Sequence, residues 1–345
     1  MITKIPVGAL TAIVTPFKED REIDWSGLKS LVDFQVSQGI SGIVPVGTTG
    51  ESPTLTEFEH EKVLSSVIGL KNIFVLAGCG SNSTAEAMHY VRKTAEAGGK
   101  AVLLVDSYYN KPPSLALRRE YYEPIARAFP DIAIVPYIIP GRTCCALLPE
   151  DLAILNQKFP NIYAVKEATG DLQNMIRIRS LTFSDFQIFS GDDDKTFRIM
   201  IDNSIRSCGV ISVISNIAPA AVQEMCQAIL RHDIKTAETV RDKLEPFFKI
   251  VTVSVDRMID EKTTVVDKFP NPMAIKVAMN LLGMPAGPCR QPLGRMTRAG
   301  ADKVSEALIT VWSKNPDVLS PIADFFNINI DERLMNRALL ENLVY

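Results

Sequence analysis

The amino-acid sequence predicts an α/β protein, a (β/α)8 TIM barrel followed by a C-terminal helical region. Short apolar runs rich in β-branched residues recur roughly every 20–35 residues, and segments with helical periodicity lie between them. Strands that alternate with helices indicate βα units around a parallel sheet, and eight units in a row fit a closed barrel better than an open sheet. The predicted strands are residues 9–14, 42–46, 73–77, 101–105, 132–137, 162–165, 186–189 and 209–213.

Capping residues mark where three of the intervening helices begin and end. Asp24 predicts the start of a helix that ends at Gly39, because an aspartate side chain caps free N–H groups and glycine favours a helix end. The segment Thr56-x-x-Glu59 is a capping box ahead of a helix that ends at Gly69. Ser83-x-x-Glu86 predicts the same device at the start of the next helix.

Composition excludes several classes of protein. The net charge is −3 and no basic run occurs, which argues against nucleic acid and anionic membranes as partners. The first residues do not resemble a secretory signal, and no run is long and apolar enough to span a bilayer, so we expect a cytoplasmic protein. The six cysteines show no C-x-x-C spacing and the three histidines are scattered, so the sequence predicts no metal site.

A nucleotide-binding fold is the main alternative for alternating strands and helices. Gly78-Cys-Gly80 follows a predicted strand, but the third glycine of the dinucleotide fingerprint is missing. The phosphate-binding pattern G-x-x-x-x-G-K-[ST] does not occur in the sequence. Nucleotide binding is therefore not predicted.

Lys166 directly follows the sixth predicted strand, within Asn161-Ile-Tyr-Ala-Val-Lys-Glu-Ala-Thr-Gly-Asp171. The amine of a lysine at such a strand end points into the space that the strands enclose, where a low dielectric lowers its pKa. A free amine can attack a ketone and form a Schiff base. The alternative for this stretch alone is a lysine that extends from the strand end into solvent.

Polar segments also follow the other predicted strands. A barrel brings such segments together, because the βα loops form the site at the C-terminal strand ends. Each segment alone has an ordinary explanation as a turn, a core aromatic, a solvated loop charge or a helix cap, but their convergence on one rim favours a functional site. The segments are Gly47-Thr-Thr-Gly-Glu51, Tyr108-Tyr-Asn-Lys-Pro112, Tyr137-Ile-Ile-Pro-Gly-Arg-Thr143, Ser190-Gly-Asp-Asp193 and Gly209-Val-Ile-Ser212.

In this order and spacing, these segments and that of Lys166 closely resemble the dihydrodipicolinate synthase family. This family is the lysine-biosynthetic branch of the class I pyruvate aldolases, which also contain N-acetylneuraminate lyase. The resemblance covers about residues 5–310. It implies a lyase that condenses pyruvate with L-aspartate 4-semialdehyde to 4-hydroxy-tetrahydrodipicolinate in diaminopimelate biosynthesis. It also implies a homo-oligomer, a dimer or tetramer, and no cofactor beyond the covalent imine of pyruvate on Lys166.

The resemblance implies four catalytic residues. Lys166 would form the imine, which acts as an electron sink so that loss of a methyl proton gives an enamine nucleophile. Tyr137 would move protons at the reacting centre. Thr48 would connect Tyr137 to Tyr109 of the partner subunit, so that the proton relay crosses an interface.

The resemblance also implies residues that bind the substrates. Thr49 would hold the pyruvate carboxylate with its backbone N–H. Arg142 would bind the carboxylate of the aldehyde, because a planar guanidinium suits a bidentate contact. Gly191 and Ile211 would complete the pocket through backbone groups.

A feedback site for lysine is a further implication, since the family binds this end product at a subunit interface. Amide and hydroxyl donors suit the carboxylate of an amino acid, and Glu86 suits its ammonium. Glu86 also closes a predicted capping box, and Pro53 and Glu57 differ from lysine-sensitive relatives. The matching positions are Ser52, His60, Asn82, Glu86 and Tyr108.

Against the family pattern, the chain divides into three segments. We expect a barrel over residues 1–235, a C-terminal helical region over 236–314 with an insertion near 253–269, and an extension over 315–345. In the extension, Asp331 predicts the start of a short amphipathic helix. Within the barrel, residues 106–107 and the residue after the catalytic tyrosine depart from the usual pattern, and Cys144 replaces a glycine.

Two other functions remain open from the sequence. A sister aldolase, such as N-acetylneuraminate lyase or a 2-keto-3-deoxy-gluconate aldolase, would share Lys166 and Tyr137. Thr48 before Thr49, the Tyr108-Tyr109 pair and Arg142 favour the synthase. A non-catalytic ligand-binding barrel would be expected to lack the lysine or the tyrosine, and both are present.

Overall fold

The computed structural model describes residues 3–345, and it contains a closed barrel of eight parallel strands followed by helices. The first two residues of the predicted barrel segment 1–235 lie outside the described range. The closed barrel with helices after it confirms the fold predicted from the sequence. The barrel strands are β1 (Gly8–Ala12), β2 (Gly42–Val44), β3 (Phe74–Gly78), β4 (Ala101–Val105), β5 (Ala133–Ile138), β6 (Ala164–Glu167), β7 (Gln187–Ser190) and β8 (Gly209–Ser212).

Side chains alternate between the inside of the barrel and its helical coat. In β5, Val135 belongs to the interior cluster and Ile134 to the cluster beneath the helices. In β6, Ala164 faces the interior and Val165 the helices. The alternation continues past Val165, so the next side chain, that of Lys166, points into the barrel.

Helices surround the barrel and continue beyond it. The segment between β4 and β5 contains a π-helical turn, Leu117–Tyr122, between two short α-helices. The helices are α1 (Trp25–Ser37), α2 (Glu57–Gly69), α3 (Thr84–Glu96), α4 (Ser114–Ala116), α5 (Glu123–Ala128), α6 (Pro140–Thr143), α7 (Pro149–Lys158), α8 (Leu172–Leu181), α9 (Thr196–Ile201), α10 (Pro219–Leu230), α11 (Ile234–Phe248), α12 (Met273–Leu281), α13 (Arg298–Lys314), α14 (Ser320–Phe326), α15 (Ile330–Met335) and α16 (Arg337–Glu341).

The first two predicted caps are present, and the third is only half formed. Asp24 accepts a hydrogen bond from Gly27 N, and Thr56 forms the complete capping box of α2. Ser83 accepts from Glu86 N at the start of α3. The Glu86 carboxylate does not return this bond, because it accepts from the hydroxyls of Ser81 and Tyr90 instead. The prediction of a second complete capping box is therefore wrong.

A β-hairpin lies between α11 and α12, where the sequence predicts an insertion. Its strands are β9 (Val253–Met258) and β10 (Thr264–Phe269), which pair antiparallel. The hairpin leads directly into Asn271 and α12. This connection puts the C-terminal region beside the barrel mouth, as the contacts of Asn271 show below.

The extension packs back onto the rest of the chain. The rings of Phe325 and Phe326 each pack at a tilt against Phe34 of α1, with ring centroids 5.3 Å apart. Asn329, and not Asp331, caps α15, and the Asp331 carboxylate accepts a hydrogen bond from Trp312 Nε1 at 2.7 Å. The sequence pattern misplaced this cap by two residues. In the described part of the chain, the helices fall short of the length and apolar content that a membrane span requires.

Candidate active site

The ends of β5 and β6 bring Tyr137 and Lys166 side by side. The two residues are register partners in neighbouring parallel strands. Lys166 Nζ lies 4.2 Å from the centroid of the Tyr137 ring. Each side chain has an exposed fraction of 6%. The amine and the phenol therefore share one buried space at the mouth of the barrel.

Burial lowers the pKa of Lys166 to about 8, because removal from water disfavours the ammonium. The carboxylates of Asp193 and Asp192 oppose this shift, and the Arg142 guanidinium adds to it. At such a pKa, about a tenth of the amine is unprotonated at pH 7. The lysine therefore has the free lone pair that attack on a carbonyl requires.

Burial has the opposite effect on the neighbouring phenol. It raises the pKa of Tyr137 to about 12, while Arg142 and a hydrogen bond with Thr48 lower it in part. The phenol therefore keeps its proton at neutral pH. A protonated phenol beside an amine can donate its proton to a reacting oxygen or carbon and take it back.

The loop after β2 is held by residues from the C-terminal region. Thr49 is 2% exposed, and its hydroxyl oxygen accepts a hydrogen bond from Asn271 Nδ2 at 2.9 Å. The buried carboxylate of Glu51 pairs with the Lys276 ammonium at 2.6 Å. These two contacts tie the loop to the start of α12.

Arg142 lies in α6 above the same space. Its side chain is exposed, and Nη2 donates to the backbone oxygen of Asn271 at 3.0 Å. The helix ends at Cys144, which has a φ of 58°, a left-handed conformation that glycine adopts at less cost. Cys144 therefore ends this helix at a cost in backbone strain.

Gly191 and Ile211 lie at the ends of the last two strands. A Cβ on Gly191 would lie 2.5 Å from Ala168 Cβ and 3.2 Å from Lys166 Cε, so the glycine leaves room beside the lysine. The Gly191 N–H donates to Glu167 O at 2.7 Å, which leaves its carbonyl as the group that can meet a ligand. Ile211 is fully buried in the interior cluster.

Tyr109 lies outside this arrangement. Its side chain is 84% exposed, and its backbone has a φ of 70°. Among the four predicted catalytic residues, the chain itself thus brings together Lys166, Tyr137 and Thr48. Tyr109 projects from the loop after β4 and points away from its own core.

The predicted lysine-binding residues fall in two groups. His60 is buried and stacks on Tyr90, with ring centroids 3.7 Å apart, and burial lowers the pKa of His60 to about 4. Tyr90 in turn donates to Glu86, whose charge contributes to raising the pKa of Tyr108 after burial, the larger cause. Asn82 is exposed and Ser52 half-buried in separate loops.

The helices α2 and α3 also bring together a histidine and two carboxylates. His89 Nε2 lies 2.6 Å from Glu61 Oε1 and 3.1 Å from Glu57 Oε1. The scattered histidines did not predict this cluster, whose ligand atoms lie within 4.8 Å of one another. The hydrogen bond between His89 Nε2 and Glu61 Oε1 accounts for the geometry of this cluster.

Two contacts at the site were not predicted from the sequence, that of Asn271 with Thr49 and that of Lys276 with Glu51, although Glu51 lies in a predicted site segment. Both join distant parts of the chain, and Asn271 is 222 positions from Thr49. The one available signal was the polar pair Asn271 and Lys276 in an otherwise apolar segment.

Fold and site together define a barrel of the class I aldolase type, with a buried lysine amine and a phenol at the strand ends. The chain belongs to the dihydrodipicolinate synthetase family, whose family model matches residues 6–310.

Individual relatives agree with this assignment. The 4-hydroxy-tetrahydrodipicolinate synthase of Methanococcus vannielii is 39% identical over 306 residues, which are 88% of this chain and 98% of the relative. A lysine-bound structure of the synthase from Cyanidioschyzon merolae is 33% identical, with a TM-score of 0.80 over 90% of this chain and 99% of its own. A chloride-inhibited, pyruvate-bound synthase from Acinetobacter baumannii is 32% identical, with a TM-score of 0.79 over 89% and 99%.

Proposed function

We propose that this protein condenses pyruvate with L-aspartate 4-semialdehyde to 4-hydroxy-tetrahydrodipicolinate, with Lys166 as the nucleophile. The observation that carries the proposal is the buried Lys166 amine 4.2 Å from the centre of the Tyr137 ring. The relatives described above bear this activity in their names, and they cover most of the chain.

The first half of the reaction makes a nucleophile from pyruvate. The free amine of Lys166 attacks the keto carbon, and loss of water gives an imine. Tyr137 supplies the proton that the leaving oxygen needs. The imine keeps a proton on nitrogen, and the Tyr137 phenolate left by the first step takes a methyl proton, which restores the phenol. The electron pair of the broken C–H bond forms the C=C bond of the enamine, and the C=N pair moves onto nitrogen. Thr49 holds the pyruvate carboxylate, and Gly191 and Ile211 close the pocket with backbone groups.

The second half joins the two substrates and frees the enzyme. The enamine carbon attacks the aldehyde, whose oxygen takes a proton from Tyr137. Arg142 holds the carboxylate of the aldehyde. The amine of the condensed product then attacks the imine carbon, which closes the ring and releases Lys166. Tyr137 is resupplied with protons through Thr48 and Tyr109 of the partner subunit.

Trapping with borohydride tests this function. The protein is incubated with pyruvate and borohydride in the presence of a chelator, because only an imine is reduced to a stable adduct. Mass spectrometry is expected to find a reduced pyruvyl group on Lys166. A coupled assay with pyruvate and aspartate semialdehyde is run beside cleavage of N-acetylneuraminate and of 2-keto-3-deoxy-gluconate. An adduct on another lysine, or faster cleavage of a sugar acid, would overturn the proposal.

We also propose that L-lysine inhibits the enzyme at a subunit interface that includes Glu86 and Tyr108. The support is that burial and, to a smaller extent, the negative charge of nearby Glu86 raise the pKa of Tyr108, and that Tyr108 adjoins the proposed relay residue Tyr109. Glu86 already accepts one hydroxyl on each carboxylate oxygen, from Ser81 and Tyr90, and the second lone pair of each oxygen is available to the ammonium of lysine. Titration of L-lysine into the coupled assay tests the site. Unchanged rates at millimolar lysine would overturn it.

A further inference from the structure

We propose that the side-chain amide of Asn271 is a positioning residue that turns the Thr49 hydroxyl proton toward the carboxylate of pyruvate. The inference rests on the proposed function, and it adds a residue from outside the barrel to the pyruvate site. Asn271 lies between the β9–β10 hairpin and α12, away from the strand ends from which the other site residues come.

The contacts of Asn271 reach both halves of the site. Its Nδ2 donates to Thr49 Oγ1 at 2.9 Å, and its backbone oxygen accepts from Arg142 Nη2 at 3.0 Å. The residue is 7% exposed. Its side chain therefore contacts Thr49, the residue proposed to bind pyruvate, and its backbone contacts Arg142, the residue proposed to bind the aldehyde.

The direction of the Thr49 hydroxyl follows from this bond. A threonine hydroxyl has one proton to donate and two lone pairs that accept. Because Asn271 Nδ2 occupies a lone pair of Thr49 Oγ1, the proton of the hydroxyl is left to point elsewhere. A carboxylate is the strongest acceptor that the proposed substrate offers at this position.

The other end of the amide supports a role beyond packing. Within residues 3–345, Asn271 Oδ1 is buried and accepts no hydrogen bond. A buried acceptor without a partner costs free energy, about 1–3 kcal/mol in general. In the described residues, the Nδ2 of this amide thus has a hydrogen-bond partner, Thr49, whereas its Oδ1 has none.

Asn271→Asp is the discriminating substitution, because it keeps the shape of the side chain and exchanges the donor for a carboxylate. When ionised, the introduced carboxylate would accept the Thr49 proton and repel the anionic substrate. The KM for pyruvate, and the pyruvate concentration that gives half-maximal borohydride trapping, are expected to rise at least about tenfold at pH 8. When protonated, the new carboxyl can donate to Thr49 as the amide does. The ratio of the variant's KM to the wild-type KM is therefore expected to fall as the pH falls from 8 to 5.

The backbone contact supplies an internal control. The Asn271 carbonyl that Arg142 meets is unchanged by the substitution, so the KM for aspartate semialdehyde is expected to change less than twofold. Asn280→Asp is the matched control, because Asn280 lies in α12 and its side chain bonds Gly287 and not Thr49. This variant loses an amide of the same region and is expected to keep the wild-type KM for pyruvate. Combining Asn271→Asp with Thr49→Val is expected to raise that KM no further than Thr49→Val alone.

Each outcome bears on the inference. An unchanged pyruvate KM at pH 8 would mean that Thr49 donates to residue 271 and not to substrate, which overturns it. Equal rises in the KM of both substrates, or a KM ratio that does not depend on pH, would show a merely structural residue. If wild-type protein gives no adduct on Lys166, the proposed function fails, and this inference fails with it. If wild-type protein gives the adduct and Asn271→Asp behaves like wild type, the proposed function stands and only the inference fails.

Discussion

Lys166 and Tyr137 show how one physical cause, burial, prepares two side chains for different tasks. Burial lowers the pKa of the lysine to about 8 and raises that of the tyrosine to about 12, since in both cases the neutral form is favoured. A neutral amine can attack a carbonyl, and a neutral phenol can donate a proton. Both states exist at neutral pH in the same space, which is what a proposed imine chemistry requires.

Arg142→Ala separates the two substrate carboxylates. Removal of the guanidinium is expected to raise the KM for aspartate semialdehyde about tenfold or more, because only the aldehyde loses a bidentate partner. The pyruvate concentration that gives half-maximal borohydride trapping is expected to change little. Arg142→Lys serves as a control that keeps the charge without the planar fork, and it should give an intermediate KM. Equal damage to pyruvate trapping would show that Arg142 supports the structure of the mouth.

At the scale of single residues, the sequence predicts the site residues at strand ends but not those that come from distant parts of the chain. Lys166 and Tyr137 follow recognisable β-strands, so their place at the rim could be predicted. Asn271 lies far along the chain from Thr49, and no local pattern encodes a contact over 222 positions. The register of the barrel and the path of the hairpin determine that contact.

Among the secondary-structure elements, β6 carries a buried lysine on its inner face and a buried glutamate on its outer face. Lys166 points into the barrel, and the neighbouring Glu167 lies under the helices with no exposed surface. Glu167 Oε1 accepts from Thr169 N and Asn174 Nδ2, whereas Oε2 has no hydrogen-bond partner in the described part of the chain. Burial raises the pKa of Glu167 to about 7, since two donors on one oxygen do not compensate for lost water.

Glu167→Gln is expected to change how stability depends on pH. The carboxyl has a higher pKa in the folded chain than its ordinary value of 4.5, so its stabilising contribution is complete below about pH 4.5 and is lost as the pH rises to 7. As the pH rises through this window, the unfolding free energy of wild type should therefore fall relative to that of Glu167→Gln by about 1.4 kcal/mol per pH unit. Urea denaturation at pH 5, 6 and 7 measures it. Glu261→Gln, in the exposed hairpin turn, controls for the lost charge, and a pH-independent difference would contradict the prediction.

The extension contributes a single arginine to the end of α12. Arg333 Nε donates to Leu281 O at 2.8 Å and Nη2 to Asn280 O at 2.7 Å. The last carbonyls of a helix have no partner within it, and a cation is favoured at this end. Arg333→Ala is therefore expected to lower the unfolding free energy by about 1–3 kcal/mol. Thermal denaturation compares it with Arg337→Ala, an exposed arginine of α16, and equal melting temperatures for the two variants would refute the role.

The limits of sequence reasoning are also visible in these elements. Strand β6 was predicted to end at residue 165, because Lys166 and Glu167 are charged and break the apolar run that marks a buried strand. The backbone pairing with β7 continues through both residues. The Lys166 side chain lies in the barrel mouth, and that of Glu167 lies under the helices. The cap of α15 was misplaced for a similar reason, as Asp331 and Asn329 are both good caps and only the Trp312 contact distinguishes them.

At the scale of the whole molecule, the proposed proton relay needs a residue that lies apart from the other three within one chain. Lys166, Tyr137 and Thr48 are gathered at the mouth, while Tyr109 leaves its own core with 84% of its surface exposed. A left-handed backbone at this exposed aromatic residue costs free energy. A second copy that receives this tyrosine would recover it. Among the related structures is a dihydrodipicolinate synthase variant described as the first monomeric one, 34% identical to this chain.

Mixed oligomers test whether Tyr109 acts across an interface. Lys166→Ala and Tyr109→Phe are each expected to be nearly inactive alone, because one lacks the nucleophile and the other the end of the relay. When the two variants are co-expressed with different tags, a subunit with intact Lys166 can receive Tyr109 from a partner with the other substitution. In a two-fold hetero-oligomer, one of the two sites combines intact Lys166 with intact Tyr109, so about half of the sites are restored. The coupled assay on doubly purified hetero-oligomers measures this recovery. Activity no greater than the mean of the two variants would place Tyr109 outside the partner's site and confine the relay to Tyr137 and Thr48.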